Sequence, residues 1–338
     1  MTDKRVLSGV QPTGTLHLGN YFGAIEQHIQ LQAESSGPGS AFYFIANYHA
    51  LTTIHDADRL RALTREVAVD YLALGLDPAQ ATFFRQSDVP EVTECTWLLS
   101  CSTGMGLLER AHSYKDKIAR GLKPSVGLFN YPVLMASDIL IYRSSIVPVG
   151  KDQQQHVEMA QDMAQSFNAA FGRDVFLRPE WRFSPGAKVP GLDGEKMSKS
   201  YGNTIPIFLP GEMTDKQAWK TYFAKIVTDS RGVDEAKDPQ DTLMQLYRLL
   251  DPTEAKEFEP IYVAGGVGYG ELKKRLHAAY NRRFGPLREK RRKIAADESY
   301  VEGVLEEGAA RAREVAREVM AEAREAAGLS VAAGTHLR

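Results

Sequence analysis

From Arg5 to Ser87, short apolar runs alternate with segments of helical period, and this alternation limits the chain to few architectures. "RVLSGV" (5 to 10) ends in the turn "QPTGT". An amphipathic helix is predicted from about Gly19 to Ala33, with Tyr21, Ile25, Ile29 and Gln32 near helical spacing. After the loop "SSGPGS", "AFYFIANYHAL" (41 to 51) reads as a buried strand. A helix over 56 to 76 opens on Asp56 and closes near Gly75, and "ATFFRQS" (81 to 87) is a further strand. Strands alternating with helices pair in parallel, so a doubly wound α/β sheet is expected.

Beyond Glu91 the pattern is mainly helical as far as Ile146, then "SSIVPVG" (144 to 150) returns to a strand and 151 to 172 to a long helix. Segments 214–227, 242–250, 269–295 and 301–327 all read as helical, which gives a catalytic α/β half followed by an all-helical half. The chain has 338 residues, more than one compact core usually holds. The expected division is 1–203 for the α/β domain with a helical insert at about 88–146, then a helical domain over 204–298 and a terminal helix over 299–328. The glycine-rich "GGVGYG" (265 to 270) lies inside helical sequence with no strand before it, and reads as a turn.

Charge and cysteine usage exclude several classes. The net charge of −2 argues against a globally basic nucleic-acid binder, so any such role rests on a local patch. One exists: 273 to 293 carries ten Lys/Arg against one Glu, which reads as a solvated helix face or as a contact to a phosphate backbone. Cys95 and Cys101 match neither a zinc site nor a disulfide framework, and are read as buried free thiols in a reducing compartment. No apolar run approaches the roughly 20 residues that span a bilayer, and the N-terminus lacks the apolar core of a signal peptide. No membrane association and a cytoplasmic location are expected.

Two stretches carry chemistry. In "QPTGTLHLGN" (11 to 20) a strand ends, glycines bracket a turn, and His17, Gly19 and Asn20 open a helix. Backbone N–H groups at a helix start attract phosphate, and the missing side chain of Gly19 permits close approach. Far along the chain, "GLDGEKMSKSYGN" (191 to 203) places Lys196 and Lys199 on a loop flanked by Gly194 and Gly202. Either stretch alone reads as an ordinary turn. Together they suit a nucleotide whose polyphosphate is covered by two mobile point charges.

These residues resemble the signatures of class I aminoacyl-tRNA synthetases: "HLGN" the first, "KMSKS" the second. "YPVLMASDILIY" (131 to 142) and "VPVGKDQQQH" (147 to 156), with "TDS" at 228 to 230 and "VEGVLEEGAARAR", resemble the tryptophanyl branch of that family over nearly the whole chain. The resemblance implies a Rossmann-like catalytic domain with a helical insert, a C-terminal all-helical domain that binds the tRNA anticodon, and a homodimer built largely from the insert. It also implies formation of tryptophanyl-adenylate from L-tryptophan and ATP with Mg²⁺, and transfer to tRNA(Trp), with no bound prosthetic group and no resident metal site.

Asp138 supports that branch on its own chemistry. A carboxylate among the apolar residues of "LMASDILIY" needs a partner, and an indole N–H is a lone donor that a carboxylate accepts strongly. A helix cap or a pair with Arg143 is the alternative. The resemblance assigns Met135, Val147 and Val149 to the walls of a tryptophan pocket and His49 to its border, with Tyr131 and Gln153 on the α-ammonium and Gln11 near the reacting carboxylate. To ATP it assigns Gln11, Pro12, Thr13, Gly19, Asn20, Gly150, Lys151, Asp152, Val189, Lys196, Met197, Ser198, Lys199 and Ser200. His17, Lys196, Lys199 and Lys117 would stabilise the transferring phosphates. Lys151 departs from the pattern, since the better-known members are acidic there. A tyrosyl-tRNA synthetase, or a weakly catalytic paralogue that acts as a binding protein, would share the signatures.

Overall fold

Five short strands form one wholly parallel sheet in the order β3-β2-β1-β4-β5. The computed structural model describes residues 5–33, 37–119, 121, 125–150, 153–183 and 188–329, excepting the side chains of His112, Ser113, Asp116 and Lys117. β1 (Val6–Val10) leads through α1 (Leu18–Asn20) and a π turn (Tyr21–Ile25) into α2 (Glu26–Ala33). β2 (Ala41–Ile45) is buried at every position, as a central strand covered on both faces must be. It stops earlier than its apolar run suggests, because the same run continues as the short α3 (Asn47–Ala50). α4 (Ala57–Leu74) begins where the Asp56 side chain accepts from Arg59 N–H at 3.0 Å, and ends where Gly75 takes φ +114°. β3 (Thr82–Arg85) follows.

The insert consists of α5 (Glu91–Ser102), α6 (Met105–Glu109), α7 (His112–Ala119) and α8 (Val126–Leu140). β4 (Ile146–Val149), α9 (Gln154–Phe171) and β5 (Glu180–Phe183) complete the sheet. β5 was not foreseen: its burial is slight and "EWRF" lacks the apolar run that marks the inner strands. The helical half holds α10 (Asp215–Thr221), α11 (Thr242–Leu250), α12 (Pro252–Ala264), α13 (Tyr269–Ala296) and α14 (Glu298–Ala326). α12 too escaped the sequence reading, although Asp251 caps it and Pro252 stands at its first position.

One apolar core runs from Leu16 and Leu18 through α4 to Met244, Tyr280 and Leu305, so packing is continuous across residue 203. A second fills the opposite face of the sheet between α5, α8, α9 and α14. α14 returns over β3, held by Arg313 and Arg317 on Glu91 and by Arg324 on Glu94. "GGVGYG" is indeed the turn between α12 and α13. Cys95 is buried as expected, but Cys101 is exposed, because α5 turns that position outward. The basic run is mostly engaged within the chain. Arg275 and Arg282 meet Glu254, Arg283 meets Glu26, Arg288 faces Asp215 and Arg291 meets Asp70. Lys274, Lys290 and Lys293 remain exposed.

Candidate active site

In a sheet of this order, the loops after β1 and β4 leave in opposite directions and open a crevice at the strand ends. The crevice holds a cavity of about 470 Å³ lined by Gln11, His49, Tyr131, Met135, Asp138, Val147, Val149 and Gln153, together with Gly150. All eight residues the resemblance placed around tryptophan therefore share one cavity. Phe44 and His156 line it too and were not foreseen. His156 Nε2 lies 3.1 Å from the Tyr131 hydroxyl.

Asp138 is 1% exposed. Neither proposed alternative holds: it sits near the end of α8, where it caps no helix, and Arg143 pairs with Glu322. Its carboxylate instead accepts from Gln86 Nε2 at 2.8 Å to each oxygen, and Oδ2 lies 2.9 Å from His49 Nε2. Burial pushes its pKa above the usual carboxylate range, while His49 and Gln86 pull it back. His49 is thus a partner carried on α3, beyond the end of the strand expected over 41 to 51. Gln86 is the residue the sequence reading missed; nothing in "FFRQS" distinguishes it from a strand-end polar residue.

A smaller cavity of about 280 Å³ adjoins Gln11, Thr13, Asn20 and Lys199, floored by His28 and Tyr71. Lys199 Nζ donates to Gly14 O at 2.9 Å, so the second signature is folded onto the turn of the first. Partial burial of its ammonium lowers the Lys199 pKa, and the Asp70 carboxylate opposes this. The loop is ordered by Asn203, whose Oδ1 accepts from Ser198 N–H at 2.8 Å and whose Nδ2 donates to Asp193 at 2.7 Å. Gly194 and Gly202 take φ +85° and +65°, conformations that favour glycine. Lys196 and Ser200 are exposed on this loop; Val189, Met197 and Pro12 are buried beneath it or beside it.

The helix start corrects the sequence reading. Its N–H groups are already used: Leu18 donates to Ile205 O at 2.9 Å and Gly19 to Met197 Sδ at 3.3 Å. A side chain on Gly19 would stand 2.9 Å from His17 Nδ1, so glycine here makes room for the His17 ring. His17 Nδ1 is buried and has no hydrogen-bond partner among the described residues. Burial, reinforced by the Lys199 charge, lowers the His17 pKa to about 4, so the imidazole is neutral near pH 7. Lys151, Asp152 and the Lys117 side chain lie outside the described residues. No cluster of His, Cys, Asp or Glu able to hold a metal occurs among the described residues.

A strand-end crevice with an acceptor on one side and a lysine loop folded over the other is the arrangement of a nucleotide-dependent acid activator. The family model for class I tRNA synthetases (W and Y) matches residues 2–285, and this chain belongs to that family. Tryptophan–tRNA ligases are among its relatives. A tryptophan–tRNA ligase of Rhodopirellula baltica is 52% identical over 327 residues, covering 96% of this chain and 99% of the other. One from Fusobacterium nucleatum is 48% identical over 96% of this chain and 98% of the other. The crystal structure of tryptophanyl-tRNA synthetase from Campylobacter jejuni complexed with ADP and tryptophan superposes with a TM-score of 0.87. It is 46% identical, and the match covers 96% of this chain and 100% of that one.

Proposed function

We infer that this enzyme activates L-tryptophan with ATP and charges tRNA(Trp), the activity its relatives are named for. The observation that carries the reading is the buried Asp138 carboxylate, held as an acceptor in the larger cavity, which shares Ser8, Gly9, Gln11 and Ala24 with the cavity that Lys199 lines. Tryptophan's carboxylate is ionised at neutral pH and needs no general base. It attacks the α-phosphorus of ATP in line, the bond to the β-phosphate oxygen breaks, and pyrophosphate leaves. The protein contributes position and electrostatic stabilisation.

Gln11 borders both cavities, which supports a role for it where the carboxylate meets the phosphate. His17 stays neutral beside Lys199, while Lys199 and Lys196 follow charge onto the leaving pyrophosphate, with Mg²⁺ carried on the nucleotide. Lys199 must first release Gly14 O, so ATP binding and loop rearrangement are coupled. Tyr131 and Gln153 hold the α-ammonium. Gly150, which lines the larger cavity, faces the ribose. The 3′-terminal hydroxyl of tRNA then takes the aminoacyl group and AMP leaves.

The reading includes a cytoplasmic homodimer, with 204–298 on the anticodon. Trp97, Met105 and Val126, 69%, 65% and 85% exposed, put large apolar side chains on the outside of the insert, which supports pairing there. The exposed Lys274, Lys290 and Lys293 are the cations of α13 open to a phosphate backbone. Among the described residues, no helix is long and apolar enough to cross a membrane. Pyrophosphate exchange into ATP, with tryptophan, tyrosine and phenylalanine compared at saturating Mg-ATP, tests the activity. Exchange with tryptophan alone is expected; exchange with tyrosine at equal efficiency would reassign the substrate.

A further inference from the structure

We propose that Gln86 is a positioning residue for substrate selection: anchored by a clamp between the ends of β2 and β3, it aims the Asp138 carboxylate so that Oδ1 accepts the indole N–H. The inference rests on the reading of the larger cavity as the tryptophan site.

Gln86 is completely buried. A side-chain amide can present either its oxygen or its nitrogen to a neighbour, and here backbone decides. Tyr48 N–H donates to Gln86 Oε1 at 3.0 Å, so the oxygen faces α3 and the NH₂ group must face Asp138. That NH₂ lies 2.8 Å from both carboxylate oxygens. The clamp is built by two further bonds: Asn47 Nδ2 donates to Ser87 Oγ at 2.8 Å, and Ser87 N–H donates to Asn47 Oδ1 at 3.0 Å. Turning the Gln86 side chain away would break the bond from Tyr48 N–H, while the Asn47–Ser87 pair holds the backbone beside it.

The lone pairs then identify the substrate's oxygen. A carboxylate offers about four acceptor positions. Gln86 takes one on each oxygen, and His49 faces a second on Oδ2. One position on Oδ1 has no partner among the described residues, and Asp138 lines the cavity. Without Gln86, the carboxylate would lose its main neutral donor and be free to turn toward His49 alone. Its ionised form would also be less favoured. The titratable groups around it are His49 from α3, Cys95 from α5 and Tyr142 just after α8; burial raises the Cys95 and Tyr142 pKa values, so neither supplies charge near neutrality.

The test uses the full-length enzyme in pyrophosphate exchange with two substrates: tryptophan, and the analogue in which sulfur replaces the indole N–H. Gln86→Met keeps the length and removes the donor. It is expected to lower kcat/KM for tryptophan roughly ten- to hundredfold, mainly through KM, as for loss of a hydrogen bond to a charged group. The analogue's kcat/KM and the KM for ATP should stay near wild type, so discrimination between the two substrates shrinks by the same factor. The acid-side loss of tryptophan affinity should also begin at higher pH than in wild type. Equal losses with both substrates, or none, would overturn the proposal, because a space-filling residue cannot sense a single N–H. Should thermal melting show that Gln86→Met does not fold, Gln86→Glu decides. It keeps the shape and the acceptor for Tyr48, and wild-type discrimination in that variant would also overturn the proposal. If the wild-type enzyme itself showed no exchange with tryptophan, the reading of the cavity would fall instead.

Discussion

Replacing Lys199 with alanine should cripple adenylate formation while leaving tryptophan binding nearly intact. The ammonium sits 2.9 Å from Gly14 O at the mouth of the smaller cavity, and a phosphate oxygen that displaced that carbonyl would meet it at a similar distance. Two unit charges so placed attract by about 1.4 kcal/mol in bulk water and about 5.7 kcal/mol at an effective dielectric near 20. Lys199 is exposed on one side, so water screens the interaction and the net value falls between these limits. About 3 kcal/mol is a fair middle, close to the ~2.7–4 kcal/mol lost when one preorganised donor is removed from other active sites. At about 1.4 kcal/mol per decade, the rate of exchange should drop roughly a hundredfold. Tryptophan affinity, read by calorimetry without ATP, should change less than about threefold, because Lys199 does not line the larger cavity. Equal losses in exchange and in tryptophan binding would refute the assignment, since a phosphate-directed charge has no reason to act on the free amino acid.

Asp138→Ala should remove the preference for tryptophan over phenylalanine, which a site built around one hydrogen bond holds at roughly 10⁴- to 10⁵-fold; competition between the two amino acids in exchange reads it directly. His28, completely buried between Tyr43 and Tyr71, has its pKa lowered to about 4, so below about pH 6.5 the unfolded chain takes up a proton that the folded one refuses. The His28 contribution to stability should fall by about 3 kcal/mol as pH drops from 6.5 toward 4, so the change between pH 7 and pH 4.5 in denaturant titrations should be less destabilising for His28→Phe by about that amount. Burial raises the Asp70 pKa to about 6 and acts with the opposite sign, but both proteins carry it, so it cancels in the difference. On α14, a side chain at Gly308 would stand 1.9 Å from the Phe83 carbonyl oxygen, whereas one at Gly303 meets nothing within 4 Å. Gly308→Ala should therefore lower the melting temperature, at a cost of roughly 1–3 kcal/mol, while Gly303→Ala should raise it by up to about 1 kcal/mol of helix propensity. Similar shifts for the two would mean that α14 does not lie on β3.

The sequence by itself determined the inner sheet and named the residues that come to share the strand-end cavity. Buried parallel strands must be nearly all apolar, so "AFYFI" and "IVPV" stand out; turns that need positive φ leave glycines, so Gly75, Gly194 and Gly202 mark where elements end. Asp138 was legible for the same reason, as a charge where the surroundings forbid one. β5 and α12 were not, because one is barely buried and the other buries a short stripe of Ala255, Phe258 and Tyr262. What only the tertiary structure decided are relations between distant segments. Gln86 looks like any strand-end glutamine until the fold sets it 2.8 Å from Asp138, 52 residues away. Gly19 looks like a phosphate turn until Met197 and His17 close over it. The arginines of α13 look like a nucleic-acid patch until Glu26, Asp70, Asp215 and Glu254 are folded against them. Local patterns record what each residue needs from its neighbours in the chain; which remote group supplies it is a property of packing alone.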